Sequence, residues 1–156
     1  MPDTRAHEDR AAILHDLETA FSDLFARTRA LFRDTAERVH PGMLPGTYRV
    51  FSVIVRHGPV TASAITEALV LDKAQVSRTV RELVDLGLIH RAPDPADGRS
   101  SLLSATDAGR RRLDEAVLPM KSDLEGGLSR WPDEQIREFT EMLIAFTERR
   151  SPEPRD

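Results

Sequence analysis

A chain of 156 residues and 17.5 kDa is one domain's worth of polypeptide, able to remove about two-thirds of its extended surface from water, with no room for a separate catalytic domain. It has no cysteine, which excludes disulfides, thiolate zinc sites and cysteine-based peroxide sensing; the charged start MPDTRAHEDRAA lacks an apolar signal core, and no run approaches the ~18 apolar residues of a membrane span, so a cytoplasmic protein is expected. The formal charge of -4 is uneven: residues 49–112 carry ten basic and seven acidic residues, a local +3, against -2 before them and -5 after them, and a positive module inside an acidic protein still attracts phosphate at short range.

Residues 9–39 are predicted to form one long helix, with Ile13, Leu17, Phe21, Leu24, Leu31 and Thr35 at three- and four-residue spacings and Phe25 and Phe32 adding a second apolar stripe. So broad an apolar surface needs more cover than a small domain supplies, and packing against another subunit is expected. HPGMLPG, residues 40–46, breaks the helix with two prolines and two glycines. TYRVFSVIVRHG resumes it, with Val50, Phe51, Val53 and Ile54 available to a core.

VTASAITEALV reads as a short helix capped by Thr61, with Ile65, Ala68 and Leu69 inward. Only Val70 and Leu71 separate it from a second helix over 72–87, DKAQVSRTVRELVDLG. Asp72 caps that helix, Gln75 is placed to reach back as in a capping box, and Gly87 ends it. At 100° per residue Val76, Val80, Leu83 and Val84 share one arc, while Ala74, Ser77, Arg78, Arg81 and Glu82 lie opposite. Two helices joined this tightly, the second with outward Ser and Arg, can place the second in a DNA major groove; a surface helix with solvated arginines has the same pattern. LGLIHRAP, DPADGR and SSLLSA then spell strand, turn and strand, a β-hairpin with Arg99 near its tip, which suits a narrow minor groove.

Thr106 and Asp107 open a helix over 106–127 that Pro119 should kink or interrupt and that Gly126 and Gly127 should end. Arg110, Arg111 and Arg112 on it are either phosphate contacts or solvated partners of nearby acids. The last helix, 132–149, starts with Pro132 at its first position and carries Ile136, Phe139, Met142, Leu143 and Phe146 on one face. The tail SPEPRD reads as disordered. His7, His15, His40, His57 and His90 have no metal-ligand spacing, the serines lack a GxSxG context, and there is neither GxGxxG nor GxxxxGK[ST]. No enzyme chemistry, metal or cofactor is implied.

LDKAQVSRTVRELVDLGLIHRAPDPADGR followed by TDAG resembles the MarR family, bacterial winged-helix transcription factors that act as homodimers. The resemblance implies a mostly α fold with a small β-hairpin wing: a winged helix-turn-helix over 45–105, dimerisation helices at 9–39 and 132–149, a linking helix at 106–127 and a tail at 150–156. Its partners would be double-stranded, pseudo-palindromic DNA, a second copy of the chain and a small, often phenolic, ligand that releases the DNA. Arg78 and Arg81 can take guanine O6 and N7 or a phosphate, Gln75 can read adenine, Ser77 can hold a phosphate and Ala74 shares their arc. Thr61 and Ser63 are candidates for phosphate contacts. The DGR motif carries over with Asp97 holding the turn or orienting Arg99, and Arg99 in the minor groove. Phe21, Phe25, Phe32, Met43, Tyr48, Arg49 and Phe51 lie in stretches that can line a ligand pocket, with Arg49 as the anion's partner; plain core packing is the favoured account of each aromatic. Val70, at a position often glycine in the family, Thr66, where alanine often packs, and SAT at 104–106 depart from the family pattern. Two other readings fit the residues: a winged-helix protein-interaction module, and a small-molecule binding protein without a DNA role.

Overall fold

A computed structural model describes residues 4–98 and 100–151, with side chains from residue 9 onward. The order is α1 (Thr4–Val39), α2 (Pro45–His57), β1 (Val60–Thr61), α3 (Ala62–Leu69), α4 (Lys73–Asp85), β2 (Ile89–Pro93), β3 (Ser101–Ala105), α5 (Asp107–Leu128) and α6 (Asp133–Thr147). The chain divides into two compact units, one up to Val117 and one from Leu118 onward. The three strands form one antiparallel sheet in the order β1-β3-β2. The fold is mostly α with a hairpin wing, as the sequence leads one to expect.

The core of the first unit forms around α2. Phe51 and Ile54 are fully buried, joined by Ile65 from α3, Val76, Val80 and Leu83 from α4, Leu88 and Ile89 leading into β2, and Leu103 from β3. Each such side chain contributes roughly 1.5–3 kcal/mol by leaving water. The end of α1 adds Ala36 and Val39, and the buried Thr35 hydroxyl donates to the Leu31 carbonyl at 2.7 Å, so no polar group is stranded there. Upstream, α1 is different: Ile13, Leu14, Leu17, Leu24 and Phe25 are all exposed, Ile13 by 66% and Phe25 by 56%.

Several boundaries differ from expectation. α1 begins at Thr4 rather than at residue 9, because its first turns carry good helix formers but no apolar period. Pro45 starts α2, so the break over 40–46 closes two residues sooner; proline suits N1, where an N–H has no partner. Ala68 is exposed, not inward; eight residues of α3 bury only Ile65 fully. α5 continues through Pro119 and through Gly126 and Gly127 to Leu128, since a proline removes one ladder bond and its neighbours hold the helix. Pro132 is the N-cap of α6 rather than its first residue, with Asp133 and Glu134 at the positive end of the helix dipole. The strand β1 has no counterpart among the predicted elements. Of the tail, residues 152–156 lie outside the described residues.

The turn between α3 and α4 holds a strained backbone position. Val70 adopts φ 51, ψ 50, and the Leu71 N–H donates to the Thr66 carbonyl at 3.1 Å, the pattern of a Schellman cap that glycine normally completes. A β-branched residue in this left-handed region costs about 1–2 kcal/mol, and Val70, 91% exposed, recovers nothing by packing. Val70→Gly should therefore stabilise the protein by about 0.5–1 kcal/mol after the added entropy of the unfolded glycine is counted. A thermal melt reads this directly, and a lower melting temperature would contradict it.

Candidate nucleic-acid interface

Three local features set α4. At its start, the Asp72 carboxylate accepts from the Ala74 N–H at 2.6 Å and from the Gln75 N–H at 3.3 Å. The Gln75 side chain does not complete a capping box; among the described residues its amide has no partner and stays exposed. At its end, Gly87, at φ +66, lets the Leu88 N–H reach the Leu83 carbonyl at 3.0 Å and turns the chain into the sheet. Along its length, Val76, Thr79, Val80 and Leu83 are buried, and Ala74, Gln75, Ser77, Arg78, Arg81 and Glu82 are exposed. The predicted polar arc is thus one continuous outward face. Glu82 also has a tertiary role: its carboxylate accepts from the buried Thr47 hydroxyl at 3.2 Å, tying α4 to α2.

In front of α4, Thr61 caps α3 by accepting from the Ala64 N–H at 3.2 Å, and Ser63 is exposed in the first turn. Behind it, β2 and β3 pair with Ile89 opposite Ala105, Arg91 opposite Leu103 and Pro93 opposite Ser101, while β1 sets Val60 opposite Leu103. In the wing loop the Asp94 side chain accepts from the Ala96 N–H at 2.9 Å, and the Asp97 carbonyl accepts from the Ser100 N–H at 2.8 Å. Asp94, which the motif does not single out, is therefore an Asx-type turn residue here. Arg99 lies outside the described residues.

Strand alternation puts Arg91 and Ser101 on the helix-facing side of the sheet, the side that buries Ile89, Leu103 and Ala105. There they meet Ser63 of α3 and Ser77 of α4 around a cavity of about 250 Å³, with Ser100 at its rim. Sequence reasoning names Ser63 and Ser77 and misses Arg91, whose only signal is its parity with Ile89 along β2.

The other basic residues are less concentrated. Arg110 lies 3.9 Å from Asp107 one turn before it in α5, the paired alternative, while Arg111 and Arg112 are exposed. The side chains offered for a ligand pocket differ in their surroundings. Met43, Tyr48 and Phe51 are buried in the core, with Phe32 packed on Tyr48 at a centroid distance of 5.7 Å; Arg49 is exposed; Phe21 and Phe25 stack on α1 at 5.9 Å. Among the described residues there is no cluster of three metal-ligating side chains, and no helix is long and apolar enough to cross a membrane.

The sequence profile of the MarR family matches residues 42–100, the span from α2 through most of the wing. The chain is 28% identical over 115 residues to YxaD, an uncharacterised HTH-type transcriptional regulator of Bacillus subtilis, covering 74% of this chain and 80% of that one. It is 30% identical over 105 residues, 64% of this chain and 63% of the other, to a Thauera aromatica protein whose name assigns it to transcriptional regulation of the hcr operon. Its fold matches the crystal structure of a MarR transcriptional regulator from Methanosarcina mazei Go1 with a TM-score of 0.70 at 23% identity, over 86% of this chain and 96% of that one.

Proposed function

Because the chain belongs to the MarR family, we propose that it is a transcriptional regulator that binds a pseudo-palindromic duplex as a homodimer, represses from that site and is released by a small aromatic ligand. It is not an enzyme. The observation that carries the DNA reading is the outward face of α4: Gln75, Ser77, Arg78 and Arg81 are all exposed on a helix whose opposite side is locked into the core. Such a face brings one amide and two guanidinium forks to base edges, where the major groove distinguishes all four pairs. Thr61 and Ser63 add contacts to phosphate, and Asp97 and Arg99 of the wing add the neighbouring minor groove.

Dimerisation is supported by apolar residues that each unit leaves in water. On α1 these are Ile13, Leu17, Leu24 and Phe25; on α6 they are Phe139, Met142 and Leu143, between 41% and 51% exposed. Large apolar side chains left in water along a helix suit a surface that a second copy covers. A two-fold dimer places its reading helices roughly 34 Å apart, which asks for half-sites about 10 bp apart. Release by a ligand rests on Phe21, Phe25, Met43, Tyr48, Arg49 and Phe51 as pocket residues, an aromatic set with one exposed cation for a carboxylate.

Fluorescence anisotropy with the duplex upstream of the protein's own gene and a scrambled duplex, across a salt series, tests this. The expected result is tighter binding to the former, weakening as salt rises, at a sedimentation mass of two chains, with a panel of aromatic acids reversing it. Binding to neither duplex at about 50 mM salt would remove the DNA reading.

A further inference from the structure

The cavity between α3, α4 and the wing has a composition that the reading face does not require. Its polar lining residues are four serines, Ser63, Ser77, Ser100 and Ser101, and Arg91, beside buried Val80 and Leu103. No carboxylate lines it. Among the described residues none of these five side chains makes a hydrogen bond or ion pair within the chain. Ser63 also sits in the first turn of α3, where N–H groups have no partner within the helix and the dipole is positive. Five residues with unengaged donor groups, one of them cationic and fork-shaped, line one space. That is the donor set of an oxyanion site.

Which oxyanion follows from where the cavity opens. Ser77 belongs both to its lining and to the outward face of α4, adjacent to Arg78. A duplex engaged by that face runs its sugar-phosphate backbone past the mouth. We propose that the cavity seats one backbone phosphate of bound DNA, with Arg91 as its ion pair and the Ser63 and Ser77 hydroxyls as donors. This rests on the DNA-binding reading and assigns the interface a residue, Arg91, that anchors without reading sequence. The backbones that carry the site are fixed, that of Arg91 by β2 pairing and that of Ser77 by α4 packing.

The same anisotropy titrations, run on Arg91→Ala, Arg91→Gln and Arg91→Lys, test it. Both neutral variants should weaken operator and scrambled duplex by the same factor, about tenfold per subunit, and should lower the slope of log K against log salt by about one per subunit. Arg91→Lys should keep most of the slope, because the charge remains while the fork is lost. Melting temperatures should stay at the wild-type value, Arg91 being exposed. Unchanged affinity and slope in Arg91→Ala, with wild type and Arg91→Lys binding normally, would overturn the phosphate site and leave the DNA reading standing. A loss confined to the operator would make Arg91 a base reader and also overturn it. If wild type bound neither duplex, the DNA reading would fall first and this site with it.

Discussion

Gly109→Ala is expected to cost about 3–5 kcal/mol of stability, the largest effect of any single methyl group in this protein. A Cβ at Gly109 would lie 2.2 Å from the Leu88 carbonyl oxygen, 3.0 Å from its carbon and 3.2 Å from its Cα. All three are backbone atoms and cannot rotate aside. The first turn of α5 would have to lift away from Leu88, which is 1% exposed. That movement breaks a joint of four hydrogen bonds: the Thr106 N–H to the Leu88 carbonyl at 3.0 Å, the Thr106 hydroxyl shared between Gly87 at 2.8 Å and Leu88 at 3.2 Å, and the Gly109 N–H to the Thr106 oxygen at 2.9 Å. Better helix propensity returns only about 1 kcal/mol. For a chain of this size each kcal/mol moves the melting temperature by about 2–4 °C, so circular dichroism should show a fall on the order of 10 °C. Gly127→Ala, in the same helix with nothing within 4 Å of the added methyl, should leave the melt unchanged or raise it. A Gly109→Ala melt equal to that of Gly127→Ala would mean that the close approach is not structural.

Arg78→Ala is expected to abolish sequence preference while sparing the fold. A bidentate contact to guanine discriminates by ~1–3 kcal/mol, and a two-fold dimer loses it in both half-sites, so operator affinity should fall by about 30-fold or more. The scrambled duplex should weaken far less, because only one charge per subunit is removed there. Arg78→Lys should not restore preference, since an ammonium cannot form the planar fork. Arg78 is exposed and unpaired among the described residues, so the melt should not move. The contrast with Arg91 is the useful one: Arg78 should change the ratio between duplexes, Arg91 the affinity for both. Equal losses on both duplexes would reassign Arg78 to the backbone.

Much of this was legible in the chain before any coordinates. Asp72 and Gly87 bracket α4 because a carboxylate cap and a left-handed glycine act within a turn of themselves. The inward arc of Val76, Val80 and Leu83 and the outward arc of Ser77, Arg78 and Arg81 follow from a period of 3.6 residues. The hairpin follows from two short runs around DPADGR, and the cap of α5 from Thr106. Each is a relation between residues a few positions apart, which the sequence states in full.

What escaped is relational over longer distances. β1 is two residues long and exists because Val60 and Thr61 meet Leu103 and Leu102; two residues carry no alternation to detect. Thr47 and Glu82 are 35 positions apart and become partners only when α2 and α4 pack. Arg91 reads as an ordinary strand arginine until β2 pairing turns it toward Ser63 and Ser77. Gly109 reads as a weak residue in a helix start until Leu88 is set against it. The sequence by itself determined the helices and their faces, the outward polar face of α4 among them, since caps and periodicity are local energies. Only the tertiary structure decided which side chains share a cavity and which backbones touch, because those distances are set by how packed elements cross and no local preference specifies that crossing.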